Sequence, residues 1–484
     1  MGIWIEKGVA IGMNKVFVLG IDGAPFQLIF NEWLDELPNI KQLMLTGVYA
    51  KSNSTIPPST ILAWTAFASG YDPGQMGVYS YTVRENKLSD ETNLVNSTCK
   101  KKKMIWDLLS ANNKKSIVLN VPLTYPVNEI NGTIISGFLT PGLKSKCCYP
   151  EEFKEELSEL FDDEYMFDVS GFVGYKNLAP KELIKRIYKL TEMNFTLIDY
   201  FLKNKEWDFF MSVLIGSDRL QHNLWRFIDE KHIKYEYDSE LKDSIKNYYK
   251  YIDKKLGEII SLLPPKTTVI VASDHGFDRM DGRINLNQWL IDNSYLVLKP
   301  EIQEKIKKEK LTLKLSYIDW TKTKAYSVGA YQGRIYLNTK KRTPSGIVAS
   351  DEVDLLKNEL KQKLIKIKKD TGEKLNNKVF FPEEIYVPGF TDESPDLIVY
   401  FDNLKWGVNN DIGHDSLYSW STIVGSDDAG HAPQGLFIMS GNKIAKKGNL
   451  GEISILDVTP SILELLNLEI PKDMKGKSVN FKGR

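Results

Sequence analysis

Short runs of β-branched and other apolar residues, each closing on small polar or acidic residues, recur at 16–21, 117–121, 209–215 and 269–272. Stretches that are apolar on every residue are expected of strands buried on both faces, as in a parallel sheet. Between them, apolar residues return at helical spacing over 32–46, 104–109, 181–202 and 241–263. This alternation predicts an α/β fold with a doubly wound, mostly parallel sheet. Ligands of such sheets bind beyond the carboxyl ends of the strands. The rhythm changes between 300 and 401, where a charged helix at 352–368 stands among strands at 333–338, 384–387 and 396–401. That segment reads as a smaller α+β insertion and a candidate cap. The core pattern resumes with a strand at 435–439 and an amphipathic helix at 454–466. The expected organisation is an extension at 1–13, a core made of 14–299 and 402–484, and the insertion at 300–401.

Composition narrows the function classes. The 484 residues are 42% apolar and 26% charged, enough for a large core, and no long uncharged apolar run predicts a membrane span. Lys plus Arg equals Asp plus Glu, 63 against 63, so no global field favours a nucleic-acid polymer. The lysine-rich stretch at 305–314 reads as a solvated helix face. Cys99, Cys147 and Cys148 are odd in number and lack metal-site spacing, so nothing implies an oxidising compartment. Glu6 and Lys7 interrupt the apolar start before a signal-peptide core develops, and a cytoplasmic location is the expectation.

Chemistry gathers at the strand ends. Asp22 closes the first strand, and Gly23 leaves room for a close approach to the backbone. Asp218 and His222 are four residues apart after the third strand, a spacing that puts both on one helix face. Asp274 and His275 follow the fourth strand directly, and His431 precedes the last core strand. Singly, these are ordinary turn residues and surface pairs. Together they supply nitrogen and oxygen ligands suited to zinc or manganese. In Pro57-Pro58-Ser59-Thr60-Ile61-Leu62-Ala63-Trp64-Thr65 the prolines end an extended segment and a helix can open, making Ser59 or Thr60 an N-cap. A hydroxyl there also suits phosphoryl chemistry, because free N–H groups and the helix dipole favour an anion. The motif alone leaves cap and nucleophile both open.

Read in order, these segments resemble the type I phosphodiesterase/nucleotide pyrophosphatase branch of the alkaline-phosphatase superfamily. The resemblance spans Val16 to Val479 and rests on Leu-Gly-Ile-Asp22-Gly, Pro-Pro-Ser-Thr60 through Ser69-Gly70, and Asp218-Arg-Leu-Gln-His222. It continues through Ser-Asp274-His275-Gly, Gly430-His431, Asp-Val-Thr-Pro460 and Asp473-Met-Lys-Gly476. It implies Thr60 as nucleophile and two divalent cations, zinc being preferred and manganese an alternative. One cation would use Asp22, Thr60, Asp274 and His275, the other Asp218, His222 and His431; His232 and His414 are left to structure. Ile61 and Trp64, next to the nucleophile, are the candidate substrate contacts. Three departures stand out: Leu62 in place of the common Pro, Ala63 in place of the Asn of nucleotide pyrophosphatases, and Met76 where relatives often carry His. The implied activity is hydrolysis of a small-molecule phosphodiester or nucleotide pyrophosphate through a phosphothreonine. A phosphomonoesterase, a metal-dependent phosphomutase and a catalytically silent binding protein are the alternatives. A sulfatase fits poorly, because no Cys lies in the nucleophile segment.

Overall fold

The computed structural model describes residues 14–84, 89–170, 174–420 and 427–482; the extension read at 1–13 lies outside them. The nine strands of the main sheet lie in the order Gly448–Ser454, Gly47–Asn53, Gln434–Ser440, Thr268–Ala272, Val16–Ile21, Phe209–Leu214, Ser116–Val121, Gly132–Ser136 and Cys148–Tyr149. The four strands expected from apolar runs are its contiguous centre, mutually parallel and buried throughout. Alternate residues feed opposite faces: Phe17, Leu19 and Ile21 join one apolar cluster, Val16 and Val18 the other. Helices cover both clusters, which is why these strands read as uninterrupted apolar runs.

Several elements depart from the expectation. Gln434–Ser440 runs antiparallel to both neighbours, because the chain enters it from the edge where the central strands end. The helix expected over 32–46 is broken into a π turn at Gln27–Glu32, a 3-10 turn at Leu34–Glu36 and an α-helix at Pro38–Thr46. Pro38 fits only the first turn of a helix, since it has no N–H to donate. The strand expected at 384–387 is instead the short helix Pro382–Ile385, with Glu384 accepting from the Phe381 amide at 3.2 Å. The neighbouring strand is Lys378–Phe380. Gly448–Ser454 is an exposed edge strand with no apolar alternation to announce it, and the following helix begins only at Val458.

A second core surrounds a four-stranded antiparallel sheet, ordered Ala325–Ser327, Gly333–Leu337, Leu397–Tyr400 and Lys378–Phe380, with the helix Val353–Ile365 against it. Its apolar residues include Ile284, Leu286 and Leu290 on one side of 300–401 and Trp406 and Val408 on the other. Tyr386, Ile398 and Tyr400 pack with Ile56 and Tyr79, and the Tyr386 hydroxyl donates to the Ile56 carbonyl at 2.6 Å. These contacts hold the second unit against the edge where the central strands end.

Candidate active site

Three adjacent parallel strands deliver three carboxylates to one place. Asp22 follows Val16–Ile21 and donates its amide to Leu214 O at 3.0 Å. Asp218 sits in the helix Gly216–Leu224 that opens just after Phe209–Leu214, and Asp274 follows Thr268–Ala272. Gly23 has φ +68° and donates to Asp274 Oδ1 at 3.0 Å; a Cβ there would lie 2.5 Å from the Phe277 ring, so only glycine fits. His431 lies on Ala429–Ala432, which pairs antiparallel with Gly276–Arg279 immediately after His275. This ribbon returns the His431 ring onto His275, with centroids 3.7 Å apart.

Thr60 opens the helix Thr60–Phe67. Ser59 occupies the N-cap position, yet its hydroxyl makes no capping bond. Thr60 Oγ1 instead reaches 3.4 Å from His275 Nε2. Ser59 lines the same cavity, and the hydroxyl within reach of the cluster is that of Thr60. The first N–H groups of the same helix have no intrahelical acceptor and present a partial positive charge at the same place.

The donors are arranged as cation ligands. His222 Nδ1 faces Asp427 Oδ1 and Ala429 O, both at 2.9 Å; His275 Nδ1 faces Gly276 O at 3.1 Å; His431 Nδ1 faces Pro58 O at 2.9 Å. All of these partners are acceptors, which assigns the ring proton to Nδ1 and leaves a lone pair on each Nε2. Those lone pairs meet carboxylates. His275 Nε2 is 3.1 Å from Asp274 Oδ2 and 3.8 Å from Asp22 Oδ1; His431 Nε2 is 3.2 Å from Asp218 Oδ1, and His222 Nε2 is 3.6 Å from it. Asp22 Oδ1, Asp218 Oδ1 and Asp274 Oδ2 are buried without any hydrogen-bond partner among the described residues. Acceptors crowded against acceptors, away from water, are stable only around positive charge. Two triads within metal-binding reach follow, Asp22–Asp274–His275 and Asp218–His275–His431, and His222 Nε2 lies 3.3 Å from His431 Nε2.

Without a cation the cluster balances its charge with protons: burial acts to lower His222 and His275, but Asp218 and Asp427 raise the first and Asp274 and Asp218 the second, so each tends to take on Nε2 the proton that a bound cation would displace. Burial, then the neighbouring Asp274 and Asp218, push the Asp22 carboxyl well above its ordinary range, so it prefers its protonated form in the absence of a cation. Burial also acts to raise Asp218, but His222, His431 and Arg219 outweigh it and hold that carboxyl well below its usual range. Burial and the stacked His275 pull His431 down to about 4, keeping it neutral.

Several participants carried no recognisable motif. Asp427 is a buried hub: besides His222 it takes Tyr331 Oη at 3.0 Å, Lys176 Nζ at 3.2 Å and Arg283 Nη2 at 2.5 Å. Tyr331 arrives from the second unit and stacks on His431 at 5.6 Å and 8°. Its φ of +65° is the left-handed backbone that a bulky residue rarely adopts. Arg219 forms a two-point pair with Asp168 at 3.0 Å and also holds Asp218 at 2.6 Å.

The two candidate substrate contacts are placed elsewhere by the fold. The side chains of Trp64 and Ile61 are fully buried and do not line the cavity beside Thr60, whereas the Ile61 backbone N–H stands in the first turn of the Thr60 helix. The Trp64 indole donates to Asp22 Oδ2 at 2.8 Å, so it fixes a carboxylate from behind. The cavity measures about 410 Å³ and runs from Thr60, His222 and His431 past Tyr79 and Tyr81 to Tyr331 and Arg334 of the second unit. Tyr71, Trp225 and Phe277 are core residues; Phe277 backs the His222 ring at 4.8 Å. His232 bonds Asp428 O at 2.8 Å and stays outside the cluster, as does His414. The terminal Asp473-Met-Lys-Gly476 packs under the helix of Thr60, where a Cβ on Gly70 would lie 2.5 Å from Met474 Sδ.

A mixed sheet with a threonine at a helix start and acid–imidazole clusters beyond its central strands is an α/β fold carrying a candidate two-cation centre. Residues 16–429 match the family described as Type I phosphodiesterase / nucleotide pyrophosphatase, and the chain belongs to that metal-dependent hydrolase family. No curated protein matches the chain by sequence. Solved structures of similar fold include an inactive threonine-to-alanine variant of murine ectonucleotide pyrophosphatase/phosphodiesterase 5 in complex with AMP. It has 13% identity and a TM-score of 0.52, over 95% of this chain and 96% of that one. The human counterpart has 14% identity and a TM-score of 0.51, over 96% and 97%.

Proposed function

We propose that this chain hydrolyses phosphodiesters or nucleotide pyrophosphates with Thr60 as nucleophile beside two divalent cations. The observation that carries the reading is the set of three buried carboxylate oxygens without partners, facing imidazole lone pairs, with the Thr60 hydroxyl 3.4 Å from one ring. Asp22, Thr60, Asp274 and His275 would hold one cation, and Asp218, His222 and His431 the other. Mixed nitrogen and oxygen ligands favour zinc, with manganese the alternative. Bound there, the cations would supply Lewis acidity and lower the pKa of a coordinated hydroxyl.

The chain's own residues do the rest. Thr60 Oγ gives up its proton to solvent and forms a bond to phosphorus as the bond from phosphorus to the leaving oxygen breaks, and the leaving alcohol or phosphate takes up a proton from solvent. N–H groups at the helix start bind a non-bridging oxygen of the transferring group. Water then cleaves the phosphothreonine, releasing the monoester and restoring the hydroxyl. Trp64 anchors Asp22, and the acceptors at each Nδ1 keep the rings oriented. A cavity of about 410 Å³, walled on the far side by the second unit, suits a phosphorus substituted on both sides and so favours a diester over a monoester.

The test is elemental analysis and turnover on one zinc-loaded sample, with matched aryl monoester and diester substrates. Two metals per chain with faster diester cleavage supports the reading. Faster monoester cleavage favours a phosphomonoesterase, transfer to an added alcohol favours a phosphomutase, and neither metal nor turnover favours a silent binding protein.

A further inference from the structure

Four cationic side chains line the cavity, and three of them are neutralised by the protein. Lys176 and Arg283 share Asp427, at 3.2 and 2.5 Å, and Arg219 is paired with Asp168 and Asp218, at 3.0 and 2.6 Å. The fourth, Arg334, has no carboxylate partner among the described residues. It projects from the strand Gly333–Leu337 of the second unit and is only 9% exposed. Its Nε donates to Val328 O and its Nη1 to Tyr79 O, both at 3.2 Å, and Nη2 has no acceptor among the described residues. The guanidinium packs closely on the backbone of Gly329, whose φ is +111°: a Cβ there would lie 2.2 Å from Nη2. The remaining carboxylate on that wall, Asp411, accepts from the Thr312 hydroxyl at 2.7 Å and keeps its charge, but forms no ion pair with Arg334 among the described residues.

A guanidinium stays charged at any physiological pH, and burying a charge without its counter-charge is costly. Carbonyl oxygens satisfy its hydrogen bonds in part but leave its charge uncompensated. Such a group is stable where an anion arrives with the ligand, and its planar fork matches a carboxylate or phosphate. Thr60 and Arg334 line one cavity, so an anion on Arg334 and a phosphorus at Thr60 can belong to one molecule.

We infer that Arg334 is a specificity residue that selects, for the phosphodiesterase reaction proposed above, substrates carrying a second anionic group, carboxylate or phosphate, on the portion of the molecule reaching the second unit.

The test compares 4-nitrophenyl phosphodiesters with the same leaving group and an ethyl, 2-carboxyethyl or 2-phosphoethyl second ester, using the full-length zinc-loaded protein and its Arg334→Gln and Arg334→Lys forms. The wild type should prefer the anionic esters in kcat/KM, chiefly through KM. Arg334→Gln should lower that preference by about tenfold or more, the loss expected for one charge-assisted hydrogen bond, and Arg334→Lys should restore part of it. The carboxylate and phosphate arms tell the two anions apart. An independent arm measures, by calorimetry, binding of 3-phosphonopropionate against methylphosphonate to the same proteins. Arg334→Gln should weaken the first about tenfold more than the second. Equal effects on both ligands, or an anionic preference that survives Arg334→Gln, overturns the inference. Absence of all ester turnover refutes the phosphodiesterase reading, and the calorimetric arm then still decides the role of Arg334.

Discussion

Replacing Asp427 by Asn removes one negative charge from the most connected side chain behind the candidate metal centre. Asp427 is 4% exposed and compensates Lys176 and Arg283, whose side chains are 9% and 7% exposed. Breaking a buried pair by removing one partner costs about 3–5 kcal/mol, because the other charge stays buried. The amide oxygen still accepts one bond, so the low end of that range is expected, a fall of roughly 5 °C or more in thermal midpoint. Metal affinity should suffer less. Ala429 O also accepts from His222 Nδ1 at 2.9 Å, so the ring keeps its tautomer, and a loss of about tenfold is expected for one of the two sites. The pH dependence gives a sign to check. Burial alone would raise the Asp427 carboxyl, but Lys176, the His222 bond and Arg283 hold it well below the ordinary range. A depressed carboxylate contributes stability that is fully present above its unfolded value, near about 4, and is lost as pH falls through its folded value. In zinc-saturated protein, where His222 takes no second proton, the gap in midpoint between wild type and Asp427→Asn should therefore be constant from about pH 5 to 7 and narrow below about pH 4. Scanning fluorimetry across pH, with zinc titration at pH 7, reads both quantities. An unchanged midpoint at pH 7, or a gap that widens in acid, refutes the argument.

Other expectations follow from single contacts. Thr60→Ala should cut diester turnover by about 10³-fold or more while leaving thermal stability near wild type; a variant at full rate sinks the nucleophile assignment. Asp274→Asn should lower zinc content by elemental analysis by about one equivalent, since Asp274 belongs to one of the two triads, and unaltered content would remove it from the ligand set. Trp64→Phe removes the one hydrogen bond that Asp22 Oδ2 accepts among the described residues and should cost about 1–3 kcal/mol in unfolding free energy; a cost near zero would mean that the indole does not support the carboxylate. Chelation should lower the thermal midpoint reversibly, because ligands that bind only the folded state stabilise it by about 2.7 kcal/mol at a hundredfold excess over Kd. An identical midpoint with and without chelator would contradict a metal centre.

The parts of the fold legible in the sequence are those set by local burial. The four central strands are buried at every position and largely apolar because helices cover both faces, and their shortness set them apart from buried helices. Their neighbourhood then brought Asp22, Asp218 and Asp274 together, so adjacent strand ends were enough to point to a carboxylate cluster. The edge strand Gly448–Ser454 and the direction of Gln434–Ser440 were not legible, since an exposed edge needs no apolar alternation and strand direction depends on where the chain enters. Trp64 was misread because closeness in sequence to Thr60 says nothing about which way a helix turns its indole. Asp427, Tyr331 and Arg334 were missed for a related reason. Each acts through partners more than ninety residues away, Asp427 with Tyr331 and Arg334 with Tyr79, and no local spacing records such contacts.

The central claim is a covalent phosphothreonine at Thr60. It is tested most directly by acid-quenching zinc-loaded protein during turnover of a phosphorus-labelled diester and mapping the label on peptides. The account predicts label on the peptide carrying Thr60, lost in Thr60→Ala together with turnover. Steady turnover with label absent, or placed on another residue, would contradict it.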